Sequence, residues 1–311
     1  PSPSTWRAPL VTLLIIALAL LTFALTMTPG PAVLWPRWTA MMVLAWWLPG
    51  ALLVAHWRLA ELDLPTMFVL ALGLGFGWMM SGALLVHWLP GEIGFWTLAL
   101  TNAVAALALG LALHWRPPLP LIATPRRTWM WLLGLLLITL ALRIPGLAYH
   151  EFHYDEVLVL TRAREAIRGE DDALARHTKG PGEIAASIAV FRTLGTANEG
   201  TARLPFGLAS VGSVLALALL GRRMFASDPV GFWSGLLLAL NGFALGLSRI
   251  VQYQAAVLLL MVLAVLAAWR FAERGALRWL VLAALLSAWG LTLHYEFALV
   301  APALLFLLWK G

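Results

Sequence analysis

Residues 65–88 read Pro-Thr-Met-Phe-Val-Leu-Ala-Leu-Gly-Leu-Gly-Phe-Gly-Trp-Met-Met-Ser-Gly-Ala-Leu-Leu-Val-His-Trp, without one Lys, Arg, Asp or Glu. As an α-helix rising 1.5 Å per residue, this stretch is about 36 Å long, enough to cross the roughly 30 Å hydrocarbon core of a bilayer. Turn and charge signals bracket it: Glu61 to Pro65 before, Pro90-Gly91-Glu92 after.

The same pattern recurs along the chain. Apolar spans are expected at 8–28, 38–56, 65–88, 93–114, 129–147, 201–220, 229–247, 250–271, 278–295 and 297–309. A shorter apolar piece, 183–194, cannot cross unaided and reads as an interfacial or re-entrant segment. The composition agrees: 61% of the 311 residues are hydrophobic and 12% charged, against about 25% charged in a soluble domain. The fold class is therefore all-α, a polytopic membrane protein with about ten transmembrane helices. Many of the seventeen Trp fall near span ends (Trp6, Trp35, Trp38, Trp57, Trp88, Trp115, Trp129), where an aromatic belt is expected. There is no Cys, which excludes disulfides, thiolate metal sites and cysteine catalysis.

The net charge of +6 is better explained by cytoplasmic Lys and Arg than by nucleic acid, since no basic run has interleaved aromatics. With Arg7 in the cytoplasm and alternating spans, Arg58, Arg116, Arg126, Arg127, Arg222, Arg223, Arg270, Arg274, Arg278 and Lys310 gather on the same side. The segment 148–200 falls outside. Two blocks result: four helices over 1–120 with almost no ionisable group inside them, and 128–311, joined by a Pro- and Arg-rich linker. Gly73, Gly75 and Gly77 read as close helix packing.

The loop 148–200 holds nine of the fifteen acids (Glu151, Asp155, Glu156, Glu165, Glu170, Asp171, Asp172, Glu183, Glu199), with His150, His153, His177 and Lys179. Chemistry that needs ionisable groups is best sought there. After Tyr149-His150-Glu151-Phe152-His153-Tyr154-Asp155-Glu156, the positions Val157, Leu158, Leu160, Ala163 and Ile167 suggest an amphipathic interfacial helix. Asp155 sits near its N-terminus, as a helix cap, a base, or both. Gly180-Pro181-Gly182 forces a turn that presents Lys179, an ammonium suited to a lipid phosphate. The histidine spacing matches no strong zinc pattern such as HExxH; no metal site is expected, and a divalent metal is unsupported. At the end of the ninth span, His294-Tyr295-Glu296 reads as a polar turn that can close the same site.

The order Arg143-Ile144-Pro145, Asp155-Glu156, Lys179-Gly180-Pro181, Ala202-Arg203-Leu204-Pro205, Gly221-Arg222-Arg223, Gly231-Phe232-Trp233 and Ser248-Arg249 resembles the GT-C glycosyltransferases. Within these it resembles the protein O-mannosyltransferases and the aminoarabinose transferases that modify lipid A, over residues 128–311. The resemblance implies an inverting transferase that moves a sugar from a polyprenyl-phosphate donor to an acceptor on the outer face of a bacterial inner or cell membrane. It implies Asp155 as base with Glu156 orienting its neighbours, and Lys179, Arg203 and Arg249 facing the donor phosphate. His153, His177, His294 and Glu296 would line the site. The implied partners are membrane lipids, the lipid-linked sugar and other membrane subunits. One departure is local: such enzymes often carry a second acid near the start of the helix after Ser248-Arg249, and here the stretch is Ile250-Val251-Gln252-Tyr253-Gln254. A non-catalytic GT-C-like subunit of a larger complex and a transporter of lipid-linked substrates stand as the other two classes.

Overall fold

The computed structural model describes residues 7–27, 34–59, 62–89, 91–114, 121–170, 172–177, 179–194 and 198–311. The expected break at Pro29 to Pro31, the start of the linker (Arg116 to Pro120) and Asp171 lie outside them. The described residues are almost wholly helical. Helices α1 (Arg7–Leu25), α2 (Leu34–Met42), α3 (Leu48–Trp57), α4 (Leu64–His87) and α5 (Phe95–His114) make the N-terminal part. Then come α6 (Arg126–Arg143), α7 (Tyr154–Ile167), α8 (Gly182–Leu194), α9 (Glu199–Phe225), α10 (Asp228–Leu240), α11 (Gly242–Leu247), α12 (Gln254–Arg274), α13 (Leu277–Leu293) and α14 (Ala301–Lys310). Each expected span has its helix. Among the described residues five helices are long and apolar enough to cross a membrane by themselves: Leu34–Trp57, Leu64–His87, Phe95–His114, Glu199–Phe225 and Gln254–Arg274. The chain is an integral membrane protein.

Beyond end shifts of a few residues, such as α6 ending at Arg143 and α9 running on to Phe225, three spans differ in course from the sequence expectation. The seventh span is broken at Asn241, whose side-chain oxygen accepts from the Ala244 N–H at 2.9 Å and restarts the helix as α11. The eighth starts at Gln254 rather than Ile250, because residues 250–253 form an irregular turn. The tenth opens as a 3₁₀ turn, Tyr295–Val300, before α14.

Contacts between helix ends fix the alternation of direction. At one end Arg222 pairs with Asp63 (3.2 Å) and Asp228 (2.7 Å), and Thr128 donates to Asp228 at 3.1 Å. There too Arg278 donates to the Arg58 carbonyl at 3.1 Å, and the two-residue strands β1 (Leu62–Asp63) and β2 (Leu121–Ile122) pair in parallel. At the other end Arg37 donates to the Thr26 carbonyl, and the Ile93 N–H donates to Ile167 O at 2.9 Å. Each contact joins ends that the alternation puts on one side.

In the N-terminal part, α2 and α3 run on as one helix through a π turn, Val43–Trp47. The wide turn falls just before Pro49, which lacks an N–H and whose ring would collide with the carbonyl four residues back in a regular helix. The Trp46 indole donates across to Leu72 O at 2.7 Å. There α3 and α4 touch backbone to backbone: a Cβ on Gly50 would lie 1.9 Å from Ala71 O, and one on Gly75 2.1 Å from Trp46 O. Gly73 and Gly77 face Leu263 and Trp289 as closely, at 2.2 and 2.1 Å. The glycines of α4 therefore mark packing on both sides, and α4 also packs on α8, α9 and α12.

Helix α8 neither crosses nor lies on a surface. Residues 182–190 are all buried, enclosed by α2, α4 and α7. Arg143, fully buried at the end of α6, donates to Ser210 Oγ (2.7 Å) and to the Leu238 and Ala239 carbonyls (3.3 and 3.0 Å). It thus caps α10, whose last carbonyls lack helical partners.

Because the α3–α4 approach has no room for a side chain, Gly75→Val is expected to abolish the folded N-terminal packing. The yield of monodisperse protein after detergent extraction, measured by size-exclusion chromatography, should fall severalfold, whereas Gly134→Val, where an added Cβ meets nothing within 4 Å, should leave it unchanged.

Candidate functional site

The site is built on a buried ion pair. Helix α7 begins with a capping box in which the His153 ring accepts from the Asp155 N–H (3.4 Å) and the Glu156 carboxylate accepts from the His153 N–H (2.8 Å). His153, not Asp155, is therefore the cap, and Asp155 keeps its side chain for other partners. Glu156 is fully buried and meets Arg203 through both oxygens, at 2.8 and 2.9 Å. Its Oε1 also accepts from the Val251 N–H at 2.9 Å. The remaining N–H groups of Arg203 go to the carbonyls of Leu147 (2.7 Å), His150 (2.9 Å) and Glu151 (3.0 Å).

A guanidinium has five N–H donors, and all five of Arg203 are engaged. The resemblance implied that Arg203 faces a phosphate; in the structure it is 1% exposed and has no donor left for one. Burial by itself would push the Glu156 carboxyl up, but the hydrogen bonds from Arg203, His153 and Val251, with the Arg203 charge, hold it below the ordinary carboxylate value. The pair ties the 147–151 loop, α7, α9 and the turn before α12 into one unit.

A residue adjacent to the pair on each segment makes the open part of the site. As Glu156 takes the Val251 N–H, Asp155 lies against Gln252, whose Nε2 donates to Asp155 Oδ2 at 2.7 Å. Lys179 Nζ stands 3.7 Å from the same oxygen and 5.6 Å from the centre of the Tyr253 ring. Both charged side chains are partly exposed, at 28% and 36%. Tyr253 donates its hydroxyl to Glu296 Oε1 at 2.9 Å and stacks on His294, with ring centroids 3.7 Å apart. His294 is buried and accepts from the Glu296 N–H at 3.1 Å, capping the 3₁₀ turn. His177 meets the fully buried Glu183 at 2.5 Å.

Lys179 is held in place by the glycine after it. Gly180 has φ +151°, and a Cβ there would sit 2.4 Å from Leu293 O and 2.5 Å from Thr292 O. The turn thus rests on the end of α13, beside His294.

Of the residues named from sequence, the structure brings together Asp155, Lys179, His177, His294 and Glu296. Arg249 lies apart from these contacts. It donates to the carbonyls of Leu142 (2.9 Å), Pro145 (2.9 Å) and Gly146 (3.0 Å), holding the Arg143-Ile144-Pro145 turn, and stands over Tyr149. His153 contributes as the cap of α7. Gln252, Tyr253 and Glu183 were not singled out from sequence. The signal for the first two was the polar Gln-Tyr-Gln run heading an otherwise apolar span. Among the described residues no group of three or more His, Asp and Glu side chains is arranged to hold a metal ion.

Residues 180–311 match the family model described as dolichyl-phosphate-mannose-protein mannosyltransferase. The match supports placing this part of the chain with the GT-C membrane glycosyltransferases. It includes Gln252, Tyr253, His294 and Glu296, and begins one residue after Lys179. No curated protein and no solved structure matches the chain.

Glu156→Gln removes the counter-charge of a buried guanidinium and is expected to cost about 3–5 kcal/mol. Because the folded-state pKa of Glu156 is lowered, its contribution is present above the ordinary value near ~4.3 and is lost as pH falls through the folded value. Thermal unfolding in detergent, followed by circular dichroism, should show the wild-type midpoint falling below about pH 4.3, with that portion of the pH dependence missing in the variant. Separately, Gly180→Ala should displace Lys179 and weaken any activity that needs it, while the thermal midpoint changes less than for Glu156→Gln.

Proposed function

We propose that the chain is a GT-C-type glycosyltransferase that moves a sugar from a polyprenyl-phosphate donor to an acceptor hydroxyl on the outer face of the membrane. The observation that carries this reading is the juxtaposition of one carboxylate and one ammonium, Asp155 and Lys179, at the end of the helix bundle that the charge asymmetry puts outside. In the reaction the acceptor oxygen attacks the anomeric carbon from the face opposite the leaving group. The bond from that carbon to the phosphate oxygen breaks, the acceptor proton passes to Asp155, and the polyprenyl phosphate leaves with the electron pair. Lys179 stabilises the negative charge that grows on the phosphate. Gln252 holds Asp155 by one oxygen and leaves the other for the acceptor. Glu156 and Arg203 act through position only.

The family match supports the transferase class. The lipid-linked donor agrees with a family named for dolichyl-phosphate-mannose, a hexose or pentose is what the sequence resemblance implies for the sugar, and a hydroxyl acceptor suits a carboxylate base. The N-terminal four-helix part steadies α8, and through it the Lys179 turn.

Asp155→Asn is expected to lower transfer about 10²–10⁴-fold, the usual worth of a positioned base, measured with radiolabelled polyprenyl-phosphate sugar in reconstituted vesicles. The variant should insert and melt like the parent. Transfer at the parental rate by Asp155→Asn would remove Asp155 from the reaction. A parental protein that binds the donor and transfers nothing to any acceptor would instead favour the non-catalytic subunit.

A further inference from the structure

The other face of α7 carries a second arrangement that the transferase reading does not use. At 100° per residue, Val157, Thr161, Arg164 and Arg168 fall within about 60° of one another, on the side of the helix away from Asp155. They border a cleft of about 540 Å³ that is closed by Phe152, Leu160, Ile167, Phe191, Arg192 and Glu92. The floor is apolar and the rim is cationic.

The charges on that rim are unequally paired. Elsewhere on α7, Arg162 meets Glu165 at 2.6 Å, and Glu165 also lies 3.5 Å from Arg176. Arg192 lies 3.7 Å from Glu92 and donates to the Ile93 carbonyl. Arg164 and Arg168 are exposed, and among the described residues neither has a carboxylate partner. The cleft therefore sets three guanidiniums against one carboxylate, with the two unpaired ones a helical turn apart and able to grip one anionic group from both sides.

We propose that this cleft is a binding site for an anionic membrane lipid, with its phosphate between Arg164 and Arg168 and the start of an acyl or prenyl chain laid on Val157, Leu160, Phe152 and Phe191. The lipid source follows from the floor. A free anion would satisfy the guanidiniums and leave Val157 exposed and Phe152 and Phe191 partly facing water, whereas a lipid covers both, and the chain is an integral membrane protein with lipid at hand. The site stands apart from the Asp155–Lys179 pair, and its existence does not depend on the transferase reading.

The test is lipid retention by the full-length protein in detergent, titrated with phosphatidylglycerol and read by native mass spectrometry. One phosphatidylglycerol should be retained saturably and phosphatidylcholine at least about tenfold more weakly. The Arg164→Gln/Arg168→Gln variant should lose affinity by about tenfold or more, and so should Val157→Glu, which puts a carboxylate at the mouth of the cleft. Arg162→Gln should bind as the parent does. A dihexanoyl analogue with the same headgroup should bind at least about tenfold more weakly, because it leaves the floor uncovered. Parental affinity in either cleft variant at an unchanged thermal midpoint, equal retention of phosphatidylcholine, or full displacement of the lipid by inorganic phosphate at equal concentration would overturn the proposal.

Discussion

The Glu156–Arg203 pair is the constraint on which the arrangement around α7 depends. Two ions taken out of water are costly to leave alone, so every lone pair and every N–H of this pair has a partner. Those partners are drawn from four separate segments: the loop after α6, the first turn of α7, α9, and the turn before α12. A structure that satisfies the pair has no freedom left in the relative position of these segments. Asp155 and Gln252 are each one residue along the chain from a group in the pair, and their contact is fixed by it.

This division of labour explains why two adjacent carboxylates in one Asp-Glu dipeptide have different roles. Successive residues on a helix point about 100° apart. Glu156 turns inward to Arg203 and is fully buried, while Asp155 turns to Lys179 and Gln252 and stays partly exposed. The site side chains are held by short-range devices: a histidine cap on α7, a glycine turn against α13, and a tyrosine stacked on His294. The N-terminal helices enter this scheme through α8, which α2 and α4 enclose. The position of the Lys179 turn is thus coupled to packing that begins at the π turn beside Pro49.

The arginines teach a more general lesson. From sequence, Arg203 and Arg249 have the same meaning as Lys179: cations near an acidic loop. In the fold, Arg203 is consumed by a carboxylate and three carbonyls, and Arg249 by the carbonyls that end α6. The planar, five-donor guanidinium suits it to tying together several backbone segments. The single ammonium of Lys179 keeps its charge toward the open side. Arg164 and Arg168, on the other face of α7, are exposed and have no carboxylate partner among the described residues.

The helical membrane class, the ten apolar helical segments, the amphipathic helix after Asp155 and the turn at Gly180 were legible in the sequence alone. Each rests on a local property: runs of apolar residues as long as a bilayer is thick, a 3.6-residue period, or a residue without a Cβ. Tertiary structure alone decided which cations are free, that His153 caps α7, and that α8 is enclosed. It also decided that Gln252 and Tyr253, a hundred residues beyond Asp155, complete its surroundings. These depend on contacts between segments far apart in the chain. A sequence states what each side chain can donate or accept, but the fold determines which partner reaches it first.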